Sequence, residues 1–391
     1  MRARAITVLT ILAAALTTSP GTASATAPEP VPATAPASSA SVPDADALQE
    51  ALDGLTAAGA PAALAEVRAG DRVWSGASGV RDIRTGRAAR PGDRHRIASV
   101  TKAMVATVVL QLVDEGRLSL GDPLEKHLPG LLPSTEAVTV GRLLDHTSGI
   151  PDYFGPLYPT GSDAEMERNR FRRLTPRELV GLAAGEPRKP VGGFDYSNTN
   201  YVLLGMVVEE VTGRPVGEEL ARRVFRPARM RHTSYPVRSP LVAGPHVRGY
   251  RQDERGRLVD TTVYTPSVWG AAAGVVSTTG DVNRFFRALS DGTLLSPARL
   301  ADMRTLDGPG DFYGLGVMGG GDLCPAEPGD LLWGNMGNGF GYRTQSWSSP
   351  DGSRQVTFAW TLTVPGVTGP PEVEKAAHEF LVTAVGATCE S

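Results

Sequence analysis

The stretch Arg96-Ile-Ala-Ser99-Val-Thr-Lys102-Ala-Met-Val-Ala-Thr-Val-Val-Leu-Gln-Leu-Val-Asp114 decides how this chain is read. From Ala103 to Val113, apolar residues fall on every side of a helix, interrupted only by Thr107 and Gln111. A helix that is apolar all round is packed on all faces, so the segment predicts a buried central helix. Ser99 stands at its start and Lys102 one turn on, which puts the two side chains on one face, about 5–6 Å apart at Cβ. An ammonium on such a helix is costly unless it is paired or has lost its proton. The chain relies on arginine elsewhere, and its only other lysines are Lys126, Lys189 and Lys375. Arginine keeps its proton in a protein, whereas a desolvated lysine can lose it. A hydroxyl beside an amine that can be neutral is the pattern of an activated nucleophile. The plainer alternative makes Ser99 a helix cap and lets Lys102 reach water along its stem.

The 391 residues can bury a sizeable core, as one large domain or two modest ones. With 41% hydrophobic and 21% charged residues the composition is that of a globular protein. A net charge of −3 without a lysine-rich tract argues against a nucleic-acid partner. Residues 1–25 read as a targeting leader: Arg2 and Arg4, an apolar run from Ile6 to Leu16, and Ala23-Ser24-Ala25 as the cleavage site. That run is too short to cross a bilayer, and no later stretch offers about 18 apolar residues, so a secreted protein without stable membrane insertion is expected. Residues 26–42, built from Ala, Pro, Ser and Thr, read as a flexible tether. In an oxidising compartment Cys324 and Cys389, the only cysteines, are favoured to join, and closing that loop would add roughly 4 kcal/mol; two independent buried thiols are the alternative. The histidines lack metal-ligand spacing, and neither a metal nor a cofactor is expected. No heptads or large repeated faces argue for assembly, so a monomer is expected.

Beyond residue 43 the pattern predicts an amphipathic helix from Asp44 to Ala58 and a hairpin of two strands flanking Ala69-Gly70-Asp71. Residues 81–94 read as a polar loop. Further helices are expected at 138–147, from Thr175, and at 198–211 before Gly213, with a long Pro/Gly/Tyr-rich loop at 151–163 between them. Late in the chain Gly270 to Ser277 reads as a small-residue strand and Thr278 as the cap of a helix to Leu289. Strands follow at 331–333, 339–348 and 355–363, and a closing helix at 372–385. The result is an α/β (α+β) fold. An antiparallel sheet comes from both ends of one domain, 43–391, with sheet parts 43–92 and 267–391 and a mostly helical part, 93–266, inserted between them. A cleft between two such layers is a natural site.

Two later stretches supply partners for Ser99 and Lys102. Gly192-Gly-Phe-Asp-Tyr196-Ser-Asn198 is a glycine-led turn feeding a helix. A phenol near a cation can titrate low enough to shuttle a proton, and an amide can both hold a lysine and donate to a substrate carbonyl. Each taken alone reads as a core aromatic and an N-cap. Gly334-Asn335-Met336-Gly337-Asn338 sits at an edge of the late strands, where glycine lets a substrate approach the backbone. Backbone N–H groups there and at Ser99 could form an oxyanion hole. Asp145-His146-Thr147-Ser148-Gly149 invites a Ser-His-Asp reading, but there is no G-x-S-x-G elbow, and His146 reads as a turn residue holding loop backbone.

Ser99-x-x-Lys102, then Tyr196-x-Asn198, then a glycine-bounded triplet on a late strand resembles the serine penicillin-recognising hydrolases, most of all soluble exported D-alanyl-D-alanine carboxypeptidases and class C β-lactamases. The resemblance spans about residues 43 to 391. It includes Leu112-Val-Asp-Glu-Gly-Arg-Leu-Ser-Leu120, Leu144-Asp-His-Thr-Ser-Gly149, Tyr196-Ser-Asn-Thr-Asn-Tyr201 and Ala273-Gly-Val-Val-Ser-Thr278. It implies a β-lactamase/transpeptidase-like fold and acyl transfer through an ester on Ser99. Lys102 and Tyr196 would jointly relay the proton, Asn198 would orient the substrate amide, and the N–H groups of Ser99 and Asn338 would bind the oxyanion. It also implies a Cys324–Cys389 disulfide and a cleft lined by Tyr158, Trp269 and Tyr342. D-Ala-D-Ala carboxypeptidase activity on peptidoglycan-type peptides is the first expectation. The alternatives are an esterase, D-aminopeptidase or β-lactamase, and a weakly active penicillin- or peptide-binding pseudoenzyme. Two departures stand out. The triplet, which in the family opens on Lys or His followed by Thr, here holds Asn335 and Met336 before Gly337. The carboxylate-binding arginine before the first cysteine is also missing, which leaves Arg343 as the candidate substitute.

Overall fold

Alternation of small and apolar residues in Ala62–Ala69 (β1) and Arg72–Asp82 (β2), reversed at Gly70 with φ +61°, starts a seven-stranded sheet. This is a computed structural model describing residues 44–306, 308–364 and 369–389; the expected leader and tether lie outside the described residues. The remaining strands are Arg87–Ala88 (β3), Met318–Gly321 (β4), Leu331–Gly339 (β5), Tyr342–Ser348 (β6) and Arg354–Thr361 (β7). The order is β3-β2-β1-β7-β6-β5-β4, every neighbouring pair antiparallel. The central pair β1–β7 joins strands from opposite ends of the described chain, Ala62 opposite Thr361.

One face of the sheet carries Ala63, Ala65, Val67, Val356, Phe358 and Trp360 against Ala45–Ala57 (α1) and Pro371–Gly386 (α5). Asp44 caps α1 by accepting the Ala47 N–H at 3.2 Å, and Leu48, Leu52 and Leu55 are fully buried beneath it. The opposite face meets Thr279–Ser290 (α4). There Asn283 accepts from Thr357 Oγ1 at 2.6 Å and donates to Glu66 O at 3.1 Å. Beyond it lies the helical layer, centred on Thr101–Asp114 (α2) and Asn198–Thr212 (α3), with its own apolar core. α3 ends at Gly213 in the left-handed conformation, as its sequence requires. Cys324 and Cys389 form a disulfide with Cα atoms 5.6 Å apart, joining the segment after β4 to the end of α5. Among the described residues no helix is long and apolar enough to cross a membrane.

The chain departs from its sequence pattern in several places: Arg87–Ala88 pairs within the expected polar loop, the strand expected at 331–333 runs on to Gly339, and the helix expected at 138–147 is only Val140–Leu144. Ser99 lies in a 3-10 turn, Ala98–Val100, that leads into α2, and Ala98 before it adopts φ +47°. Gly270 to Ser277 is not one strand: Gly270–Ala273 is a helical turn, and only Val276–Ser277 is extended, pairing with His95–Arg96. The small residues there serve close approach, since a Cβ on Gly205 of α3 would lie 2.7 Å from Ala271 Cβ. The glycine run Met318–Gly321 forms an edge strand although its residues carry no strand preference.

β5 also sets the Ser99 turn against the sheet. A Cβ added at Gly337 would lie 2.1 Å from the Ile97 carbonyl oxygen and 3.3 Å from Ala98 Cβ. Gly337→Ala is therefore expected to lower stability by about 1–3 kcal/mol through overpacking. Urea unfolding reads that loss, and a crystal structure of the variant should show the Ser99 turn pushed off β5.

Candidate active site

Every residue of α2 from Thr101 to Leu110 is buried, and Lys102 has no exposed surface. The other three lysines lie at the surface beside carboxylates: Lys126 with Asp122, Lys189 with Asp195, Lys375 with Glu379. Lys102 makes no ion pair among the described residues. Its Nζ instead lies 3.0 Å from Ser99 Oγ, 2.8 Å from Asn198 Oδ1 and 3.0 Å from the Ala272 carbonyl. Burial lowers the amine from its ordinary 10.5 to about 7, with the charge of Asp152 opposing. In the neutral form the amine has two N–H groups and one lone pair. The Asn198 and Ala272 oxygens can only accept. The two N–H groups go to them, and the lone pair is left facing the Ser99 hydroxyl.

Tyr196 meets the same hydroxyl from the other side, its OH donating to Ser99 Oγ at 2.9 Å. Tyr196 is 39% exposed as a residue, while its ring leans on His146 at 4.3 Å and on Tyr313 at 6.4 Å between centroids. Burial of the phenol, reinforced by Tyr313, raises it well above its usual value despite the Ser99 hydrogen bond. Burial thus moves the phenol in the direction opposite to the one its sequence context predicts, although the Lys102 amine lies 4.9 Å from its ring. His146, held at φ +61°, accepts at Nδ1 from the Ser197 N–H and from Asn200 Nδ2, both at 3.2 Å. It is fully buried and held neutral by burial and by Lys102, and it anchors the turn that carries Tyr196.

Asp152, which no sequence motif singled out, accepts from Asn198 Nδ2 at 2.8 Å and from the Phe154 N–H at 3.0 Å. Burial raises its carboxyl, opposed by these donors and by Lys102. The only signal for it was its place in the long loop that follows Gly149.

The third motif divides by strand alternation. Asn335 and Gly337 face the helical layer, whereas Met336 and Asn338 pair with Gln345 and Arg343 on the α1/α5 side. Asn335 is 2% exposed and donates to the Gly316 carbonyl at 2.9 Å, so its amide is spent inside the protein and not offered to a substrate. Arg343 does not reach the Ser99 side either: it pairs with Glu374 of α5 at 2.7 Å and lies over the Trp360 ring. Tyr158 and Trp269 form an aromatic cluster with Phe154 and Phe340, and Tyr158 is hydrogen-bonded to Tyr264. Tyr342 is buried with its hydroxyl on the Val247 carbonyl. Trp269 and Tyr342 still edge a narrow pocket with Arg96, Ala98, Ala273 and Phe340. No cluster of metal-ligating side chains occurs among the described residues.

A family model described as Beta-lactamase matches residues 46–377. Among solved structures, a D-stereospecific amidohydrolase from a Streptomyces species is 32% identical with a TM-score of 0.75, covering 85% of this chain and 98% of that one. A D-amino acid amidase from Ochrobactrum anthropi SV3 is 26% identical, TM-score 0.75, covering 86% and 97%. A penicillin binding protein from Bacillus halodurans is 25% identical, TM-score 0.69, covering 85% and 98%. Matches to curated relatives are partial: the chain spans 52% of one from Bacillus subtilis and 31% of several from Staphylococcus aureus.

Two outcomes test this geometry. Folding strips Lys102 of its proton between pH 7 and 10.5, so the unfolded chain binds more protons there and stability rises with pH. The unfolding free energy of the wild type minus that of Lys102→Met should be flat below pH 6.5 and then climb by at most about 1.4 kcal/mol per pH unit, measured by urea titration. Arg343→Ala should lower the melting temperature by stranding Glu374, and leave the KM for any substrate bearing a carboxylate unchanged.

Proposed function

The chain belongs to the Beta-lactamase family, and from that premise we propose that it is a serine hydrolase acting through an ester on Ser99. The observation that carries this reading is the Ser99 hydroxyl held between the Lys102 amine at 3.0 Å and the Tyr196 phenol at 2.9 Å. Lys102, lowered to about 7, is the base: it takes the hydroxyl proton as Oγ attacks a carbonyl. Tyr196, raised and therefore protonated, is the acid. It gives its proton to the departing amine or alkoxide, and the proton on Lys102 then neutralises the phenolate. Water attacks the ester in the reverse sense and frees Ser99. The oxyanion is assigned to the N–H groups of Ser99 and Asn338. In support, the pairing of β4 with β5 stops at Gly334, and Gly337 lies against the Ser99 turn.

For the substrate, we place short D-configured amides and esters first, and release of a terminal D-alanine second. A terminal carboxylate calls for a cation near the third motif. Asn335 and Met336 occupy the places of the family's charged and hydroxyl residues, and Arg343 is committed to Glu374. The names of the Streptomyces amidohydrolase and the Ochrobactrum amidase point the same way. The disulfide is compatible with an exported protein.

Purified protein should hydrolyse D-amino acid amides or p-nitrophenyl esters at least about tenfold faster than it releases D-alanine from a D-Ala-D-Ala tripeptide, a gap of about 1.4 kcal/mol in barrier. The reverse preference would restore the carboxypeptidase reading. Ser99→Ala should abolish both activities. The kcat/KM should rise with pH through about 7, as Lys102 gives up its proton.

A further inference from the structure

The side-chain amide of Asn198 has two chemically opposite ends, and whichever faces Lys102 determines what the amine can do. With the oxygen toward Lys102, the amide takes an N–H and leaves the lone pair to Ser99. A flipped amide would send its own N–H to that lone pair and take it from the hydroxyl. Asp152 selects between the two. As a carboxylate it only accepts, and it accepts from Asn198 Nδ2 at 2.8 Å while the Phe154 N–H holds it in place at 3.0 Å. The amide nitrogen is therefore committed to Asp152, and the oxygen to Lys102 at 2.8 Å.

We propose that Asp152 is a positioning residue that, through Asn198, sets the direction in which the Lys102 amine presents its lone pair to Ser99. The proposal rests on the reading of Ser99 and Lys102 as nucleophile and base. The groups around Lys102 support a specific role. The rings of Tyr196 and Tyr201 lie 4.9 and 5.6 Å from its Nζ, His146 nearby is neutral, and the Ala272 carbonyl is fixed backbone. Asp152 is the carboxylate whose charge acts on the amine. It does so one side chain away, without forming the ion pair that would keep Lys102 protonated.

The test compares wild type, Asp152→Asn and the exchanged pair Asp152→Asn with Asn198→Asp. Ester turnover is followed from pH 5 to 9, and folding is checked by circular dichroism. Asp152→Asn keeps the shape but permits both amide directions. Its kcat should fall about tenfold or more with KM little changed, as expected for a misdirected reacting group. Its acid limb should move to lower pH, because a negative charge that favours the ammonium is gone. In the exchanged pair the donor–acceptor sense is rebuilt with the carboxylate directly against Lys102. Its kcat should recover at high pH, with the limb displaced above that of the wild type. Wild-type kcat and limb in Asp152→Asn, or an exchanged pair no better than the single variant, would overturn the proposal. If Asp152→Asn does not fold, the exchanged pair decides alone: a raised limb supports the role, and an unmoved limb or no turnover overturns it. Loss of Ser99-dependent turnover in the wild type itself would instead remove the hydrolase reading, and this inference with it.

Discussion

A single amine that makes no ion pair among the described residues, carried on the central helix and buried by its neighbours, constrains much of this molecule. Keeping Lys102 dry requires a helix apolar on all faces, which in turn requires covering elements on every side: α3, the turn at 270–273 and the Ser99 turn itself. Those covering elements deliver what surrounds the amine, namely an amide oxygen from the start of α3, a carbonyl from the turn, and the hydroxyl. The packing that shifts the lysine is thus the packing that builds the site.

The sheet contributes by exclusion. Period-two alternation along β5 sends Asn335 and Gly337 toward the helical layer and Met336 and Asn338 to the other face. Only Gly337 is small enough to admit the Ser99 turn, and Asn335 is consumed by the Gly316 carbonyl. On the far face Arg343 and Glu374 neutralise each other beneath α5. The Ser99 side of the third motif is thereby left without a formal charge from either residue.

How much of this could be read in advance follows from the range of each signal. The buried helix, the Ser99–Lys102 pair, the sheet drawn from both ends of the chain and the glycine stop after α3 are written in local spacing. Tyr196 and Asn198, which alone read as a turn aromatic and an N-cap, stand out only through their order after Ser99-x-x-Lys102 and before the late glycine-bounded triplet. Asp152 does not stand out: its role depends on meeting an amide 46 positions away, and nothing in its own neighbourhood marks it. Arg343 was misplaced for a similar reason, since strand spacing says which residues share a face but not which face meets the nucleophile. The small-residue run at 270–277 misled because alanine and glycine fit a tight helical turn as readily as a crowded strand, and the packing against Gly205 settled it.

The β1–β7 pairing has a consequence for how the molecule comes into being. Ala62 and Thr361 are 299 positions apart, and the strands that seat the Ser99 turn depend on that seam. Such a topology has high contact order and closes slowly, because distant segments must meet before their contacts are rewarded. A chain with its central helix formed and Ser99 at its head has no assembled cleft until β7, the last strand among the described residues, is in place. The site is thus assembled only once β7 has paired with β1.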